Sequence, residues 1–203
     1  AECDARGGVD GKAFSVALAV AVDLAAGIGL SALTPLKFFR PANAGIFGAT
    51  LGIARLRKFD ANQTKDALGY ALAFNSGTMQ AHVEGKPALP IQIGNAARGA
   101  VMACDLAENE MPGPHDSLEG PFGYFKLFED EADPSEIIAS LGKTWCIAEV
   151  SHKPFPTGRA AQGGIVLMQK LRAQGVTAEN VERIDLTAPP IIPRLVGRPL
   201  QPG

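Results

Sequence analysis

Two cationic side chains stand where residue type and setting could do chemistry. Arg40, in Phe38-Phe39-Arg40-Pro41, carries a planar guanidinium fork suited to bidentate binding of a carboxylate. Lys153 precedes Pro154-Phe155-Pro156. It could supply a second positive charge, or act as a base if burial lowered its pKa. Each also has a plainer reading: Arg40 caps a helix or pairs with a local acid, and Lys153 sits exposed before a rigid turn. Other short patterns fail their own chemistry. Gly142-Lys143-Thr144 matches only the end of a P-loop, because the glycine needed five positions earlier is Ile137. Ser140-Leu141-Gly142-Lys143 fits S-x-x-K without a companion motif. Asn62-Gln63-Thr64 is a formal glycosylation acceptor in a sequence with no other sign of secretion. His82, His115 and His152 lie neither four residues apart nor beside a cysteine pair, so the spacing gives no metal site.

Positioning such groups falls to 203 residues, enough for one large domain or two small ones. Apolar residues at 46% and charged residues at 20% are ordinary globular usage. With 19 Lys and Arg against 21 Asp and Glu, the net charge of -2 offers no basic footprint for nucleic acid or an anionic membrane. Aromatics are only 6% and glycines number 23, which suits helices packed closely through small residues better than a β-sandwich. Three scattered cysteines, Cys3, Cys104 and Cys146, make no disulfide framework and point to a reduced, cytoplasmic setting. Residues 13–33 are the one membrane candidate. Asp23 near the middle would cost about 2.5–3.5 kcal/mol there on insertion scales, so the run reads as a buried helix.

Helical periodicity dominates residues 11–94. Val16, Ala17, Val20, Leu24 and Ile28 form an apolar face. Pro35 and Pro41 bracket a short connection, and a second helix spans about 44–58, with Gly45, Gly48, Ala49 and Gly52 as a smooth strip for close helix approach. Asp60 and Gln63 form a capping box opening a third helix, which Asn75-Ser76-Gly77 ends. A polar loop over 82–90 leads to a fourth helix over 94–108. Met111-Pro112-Gly113-Pro114 is the strongest breaker cluster of the interior, and it sets the expected boundary between a helical domain, 1–112, and a smaller α+β domain, 113–203. In the latter, helices are expected over 135–141 and 162–174, and strands over 145–150 and 181–187. Five of the 15 prolines fall in the last 15 residues, which predicts an extended end.

Three segments stand out in order and spacing. The first is Phe38-Phe39-Arg40-Pro41-Ala42-Asn43-Ala44-Gly45-Ile46-Phe47-Gly48-Ala49, with Ala54-Arg55-Leu56 and Asp60 behind it. The second is Glu84-Gly85, then Ile91-Gln92-Ile93-Gly94-Asn95-Ala96-Ala97-Arg98-Gly99, running into Leu118-Glu119-Gly120-Pro121-Phe122-Gly123. The third is Lys153-Pro154-Phe155-Pro156 with Arg159 and Ile165. Together they resemble the MmgE/PrpD family, whose members include 2-methylcitrate dehydratase, cis-aconitate decarboxylase and iminodisuccinate epimerase.

The resemblance implies a mainly α chain, a helical domain followed by a smaller α/β lid-like domain, acting as a homodimer on a small carboxylate without a cofactor or metal. It also implies an interior portion of a longer protein. Family patterns place an Asp- and His-bearing segment before Ala1 and a tyrosine-bearing return after Gly203. Carried over position by position, the active-site motifs depart from the family. Arg40 stands for the histidine of the first motif. Leu89 and Gln92 stand for the Lys and His of the second, and Gln162 stands for the histidine of the third. Lys153 keeps its type and is the expected catalytic residue, with Arg40, Gln92 and Gln162 as substrate-binding residues. Arginine and glutamine do not titrate near neutral pH, so they cannot serve as general acid or base. The implied activity is a lyase, most like a 2-methylcitrate dehydratase. The alternatives are an epimerase or decarboxylase of the same family, or a non-catalytic remnant that binds carboxylates or serves assembly. A last expectation concerns packing: part of the helix over 11–33, or the Gly45-Gly48-Gly52 strip, is left exposed as an apolar patch.

Overall fold

The computed structural model describes residues 2–190 together with 192, 193 and 197. It divides into two compact units, Ala1–Val150 and Ser151–Gly203. Within the first, α1 (Glu2–Ala5) precedes α2 (Gly11–Ser31), α3 (Arg40–Arg57), α4 (Ala61–Ala73), α5 (Gln80–Glu84), α6 (Ala88–Glu108), α7 (Tyr124–Phe128) and α8 (Ser135–Ser140). The second holds α9 (Arg159–Ala173).

The core forms where α2, α3, α4 and α6 pack together. Asp10 starts α2 by accepting from the backbone N–H groups of Lys12 (2.9 Å) and Ala13 (3.2 Å), the usual way an N-cap satisfies orphan donors. The small-residue strip of α3 lies directly on α2. A Cβ on Gly48 would sit 2.3 Å from the Ala21 carbonyl oxygen, and one on Gly52 would sit 3.1 Å from that of Ala17. Glycine is required there by approach of one backbone to another. Gly48 and Gly52 are therefore covered, Gly45 faces open space, and α2 is the element whose large apolar side chains are left open. Its far side exposes Phe14 (49%), Leu18 and Leu30 (65%). By length and composition α2 is also the one helix among the described residues able to cross a membrane. Asp23, buried near its middle, accepts from the Cys146 N–H (2.8 Å) and ties down a 3-10 turn at Cys146–Glu149.

Two helices begin earlier than the periodicity suggests. α3 starts at Arg40, so Pro41 lies in its first turn, where a missing N–H removes no intrahelical bond and φ is already helical. For the same reason Pro90 sits in the first turn of α6, which opens at Ala88 rather than near 94, and the expected loop over 82–90 is mostly α5 and the start of α6. The capping box of Asp60 and Gln63 is formed in both directions.

The expected strands are absent among the described residues. Residues 145–150 form the 3-10 turn just described, and 181–187 make no ladder; the only β-pairings there are the isolated bridges Ala32–Ala132 and Phe38–Thr78. A run of six residues is too short for its periodicity to separate strand from helical turn. The breaker cluster at 111–114 lies inside the first unit. Tyr124, beyond it, is fully buried in the core against Phe47. The expectation of an extended C-terminal end falls largely outside the described residues.

Candidate functional site

The first and second motifs meet at one short connector, residues 75–78. The turn into α3 is built on it. Phe39 donates its N–H to the Gly77 carbonyl (3.2 Å), and Phe38 bridges to Thr78. From α6, Gln92 grips the same place: its Oε1 accepts from the Thr78 N–H (2.6 Å) and its Nε2 donates to the Thr78 carbonyl (3.3 Å). A glutamine amide presents donor and acceptor side by side, so it pairs with the N–H and C=O of one residue as a neighbouring strand would. Gly77 has φ 125°, and a Cβ there would fall 3.2 Å from the Ala42 Cβ. Arg40 and Gln92, 52 positions apart, are thus drawn to one corner.

Beside the connector runs a polar seam. Asn43 is fully buried; its Nδ2 donates to Asn75 Oδ1 (2.6 Å) and to the Ser76 carbonyl (3.1 Å), while Asn75 Nδ2 donates back to the Asn43 carbonyl (3.0 Å). Asn95 Nδ2 continues the seam to Ser76 Oγ (2.9 Å), and Arg98 donates to Asn95 Oδ1 (2.8 Å). The seam ties the stop after α4 to α3 and α6.

Arg40 points the other way. Its Nε donates to Glu129 Oε1 (2.9 Å) and its Nη2 to Glu129 Oε2 (2.6 Å), with Nη2 also reaching the Thr34 carbonyl (2.7 Å). Tyr124 donates its hydroxyl to Glu129 Oε1 (3.0 Å). The side chains of Arg40 and Glu129 are only 18% and 3% exposed. The Glu129 hydrogen bond raises the Arg40 pKa beyond its ordinary value, and burial, reinforced by the Glu129 charge, raises that of the Tyr124 phenol. The bidentate carboxylate that the fork of Arg40 suits is therefore supplied by this chain itself. Of the two readings of Arg40, pairing with an acid describes the geometry, though that acid lies 89 positions away.

In the second unit, Gln162 on the first turn of α9 holds the third motif. Its Oε1 accepts from the Phe155 N–H (3.3 Å), and its Nε2 donates to the carbonyls of Phe155 (3.0 Å) and Thr157 (3.2 Å). The Pro154-Phe155-Pro156 turn is thereby clamped to the helix. Lys153 is exposed at the head of that turn and has no hydrogen bond or ion pair with a described residue.

Two further groups of ionisable side chains serve structure. Arg57, with its side chain 4% exposed, bonds Glu2 through Nε and Nη2 (2.9 Å each) and meets Asp105 (2.7 Å) and Glu108 (3.0 Å), joining α1, α3 and α6. These bonds hold the Glu2 carboxyl down at about 2, while burial pushes the neighbouring Cys104 thiol up to about 12, so Cys104 is not a ready nucleophile. His115 shares Asp66 with the Gly113 N–H (3.0 and 2.9 Å) and pins the loop after α6. No three His, Cys, Asp or Glu side chains among the described residues are grouped to hold a metal.

Sequence spacing misses Glu129, Tyr124, Asn43, Asn75 and Thr78. For Asn75 a signal existed, since Asn75-Ser76-Gly77 is plainly a stop; that its amide pairs with a buried asparagine on α3 is not written in any local pattern. A family model described as the MmgE/PrpD N-terminal domain matches residues 1–137, which include Arg40, Gln92, Glu129 and the connector. No curated protein matches the chain.

Proposed function

This chain belongs to the MmgE/PrpD family, and from that premise we propose that it acts as a lyase on a small di- or tricarboxylate, in a 2-methylcitrate dehydratase-like reaction. The observation that carries the proposal is that the first two motifs, separated by about half a domain, converge on the connector at 75–78. In the proposed dehydration a general base takes the proton alpha to one carboxylate, and Lys153 is the electrostatic group beside it. The electron pair forms the new carbon–carbon double bond as the C–O bond breaks. The departing hydroxide takes that proton back from the base and leaves as water. A cation at this place also favours the enediolate-like charge that develops before the bond breaks. Arg40, Gln92 and Gln162 act as positioning residues, since their polar ends already hold Glu129, Thr78 and Phe155.

The test is turnover of 2-methylcitrate, citrate, cis-aconitate and related acids, followed by ultraviolet absorbance of the conjugated product and by released carbon dioxide. The expected result is dehydration, with Lys153→Met lowering kcat by roughly 100-fold or more and leaving the helical circular-dichroism spectrum intact. Carbon dioxide release or epimerisation instead would move the reaction within the family. A second reading, a non-catalytic carboxylate binder, is favoured by the residues at the motif positions, since Arg40, Gln92 and Gln162 do not titrate near neutral pH. It predicts thermal stabilisation by citrate-like acids, lost in Lys153→Ala, with no turnover at all.

A further inference from the structure

Glu129, directly after α7, sets its carboxylate among three donors. Arg40 Nε (2.9 Å) and the Tyr124 hydroxyl (3.0 Å) meet Oε1, and Arg40 Nη2 (2.6 Å) meets Oε2. Each donor is also held by contacts of its own. Arg40 opens α3, and its Nη2 is anchored on the Thr34 carbonyl (2.7 Å). Tyr124 is fully buried, edge-on to Phe47 with ring centroids 5.6 Å apart and stacked on Phe128 at 5.2 Å. Donors fixed in this way form a preorganised cradle for a carboxylate. Thr34 adds a buried hydroxyl with no hydrogen-bond partner among the described residues, so the corner holds one donor more than Glu129 uses.

We propose that this cradle is a binding site for a small carboxylate, closed by Glu129 as an internal ligand, so that Glu129 decides what Arg40 can bind. A tethered carboxylate competes at a high effective concentration, and a free acid at millimolar levels displaces it poorly. Glu129 is the one acid paired with Arg40 among the described residues. Without it the guanidinium keeps its place but lacks a counter-charge, a cost that an entering anion removes. The Arg40 side chain is 18% exposed, which gives such an anion an edge from solvent. Shape and charge select the anion. Cutting glutamate back to alanine removes a methylene and a carboxylate, the heavy atoms of one acetate. Planar acetate can meet the fork and the phenol as Glu129 does. Acetamide would turn a donor towards donors, and tetrahedral sulfate does not match the removed atoms. The closure holds whichever reaction the chain carries out.

The experiment is urea unfolding of the full 203-residue chain and of its Glu129→Ala variant. Each is measured in sodium acetate, in acetamide, and in sodium sulfate or chloride of matched ionic strength. No turnover is read, so the outcome is independent of the proposed reaction. Acetate at about 100 mM is expected to shift the folding equilibrium of Glu129→Ala about tenfold, as a ligand with a Kd near 10 mM does. The unaltered chain is expected to shift by less than about twofold. The double variant Glu129→Ala with Arg40→Met is expected to lose the response. Refolding yield is read beside stability, so a Glu129→Ala chain too weak to fold alone reports acetate by recovering its helical spectrum. An unaltered chain that responds as strongly, an equal response to acetamide or sulfate, or a response that survives loss of Arg40 overturns the proposal. So does a Glu129→Ala chain that acetate neither stabilises nor refolds.

Discussion

α3 and α9 are helices of similar length, 18 and 15 residues, and both carry glycine, yet nine residues of α3 are buried and none of α9. The difference lies in what each helix offers. α3 presents Gly48 and Gly52 on the side facing α2, so its partner is a backbone at a fixed, short distance. Small residues commit a helix to one neighbour, because only a surface that follows the strip atom by atom gains contact there. α9 presents Val166, Leu167, Met168 and Leu171, each more than a third exposed. Long apolar side chains gain by being covered with almost anything apolar, and they name no partner. The first unit is thus held by close backbone approach, and the second shows a face still to be closed.

The sharpest way to break that contrast is Gly48→Leu. Its Cβ would lie 2.3 Å from a main-chain oxygen of α2 and 2.8 Å from the Ala25 Cβ, and neither can move without shifting a helix. A loss of about 3 kcal/mol, at the top of the overpacking range, is expected, read from the urea midpoint. A variant within 1 kcal/mol of the unaltered chain would mean that the two helices do not meet as described.

Arg40→Leu comes next and tests the other end of α3. Removing the guanidinium leaves Glu129 buried beside Tyr124 without its cation, which typically costs about 3 kcal/mol. Glu129→Gln in the same background removes the uncompensated charge and should recover much of that loss. If Arg40→Leu is as stable as the parent at pH 7, the bidentate pair is not a structural anchor.

How much of this was legible beforehand divides along the same line. The fold of the first unit was readable wherever a residue acts on its own neighbourhood: Asp60 with Gln63 starts α4, and the glycine strip of α3 announces a close helix contact. Helix starts at proline were misplaced, because Pro41 and Pro90 stop a helix only from inside it and are at home in its first turn. The site was legible in residue type alone. Arg40 was identifiable as a carboxylate fork, but its carboxylate is 89 positions away in an acidic run, Glu129-Asp130-Glu131, where nothing local separates the buried member from the exposed ones. Gln92 and Gln162 stood out as departures from a pattern; that both grip peptide units follows only from which backbone groups the fold leaves unpaired.

The C-terminal end of α3 supplies a milder test. Arg57 there holds Glu2, whose carboxyl sits near 2 in place of its ordinary 4.5. A depressed carboxyl stabilises the folded state fully above its unfolded pKa, and that contribution is lost as pH falls through the folded value. The stability difference between the unaltered chain and Glu2→Gln should accordingly be flat above about pH 5 and shrink towards about pH 2. A difference that persists unchanged at pH 2 would show that Glu2 acts through packing and not through its charge.

Gly163→Ala makes the smallest change and sharpens the comparison most directly, because the same substitution has opposite signs in the two helices. Gly163 lies inside α9, is exposed, and a Cβ there would meet no atom within 4 Å. Nothing in its surroundings requires glycine, so alanine should gain the ordinary helix-propensity difference of about 1 kcal/mol, much of it by restricting the unfolded chain. Gly52→Ala on α3 would instead set a Cβ 3.0 Å from that of Ala21 and 3.1 Å from the Ala17 carbonyl oxygen, and the crowding should outweigh the propensity. Amide hydrogen exchange separates the two, since it reads α9 apart from the first unit. Exchange within α9 should slow about fivefold in Gly163→Ala, and exchange within α2 and α3 should quicken in Gly52→Ala. Slower exchange in both variants would place the small residues of α3 there for propensity reasons alone, and the close backbone contact would no longer explain why that helix is buried.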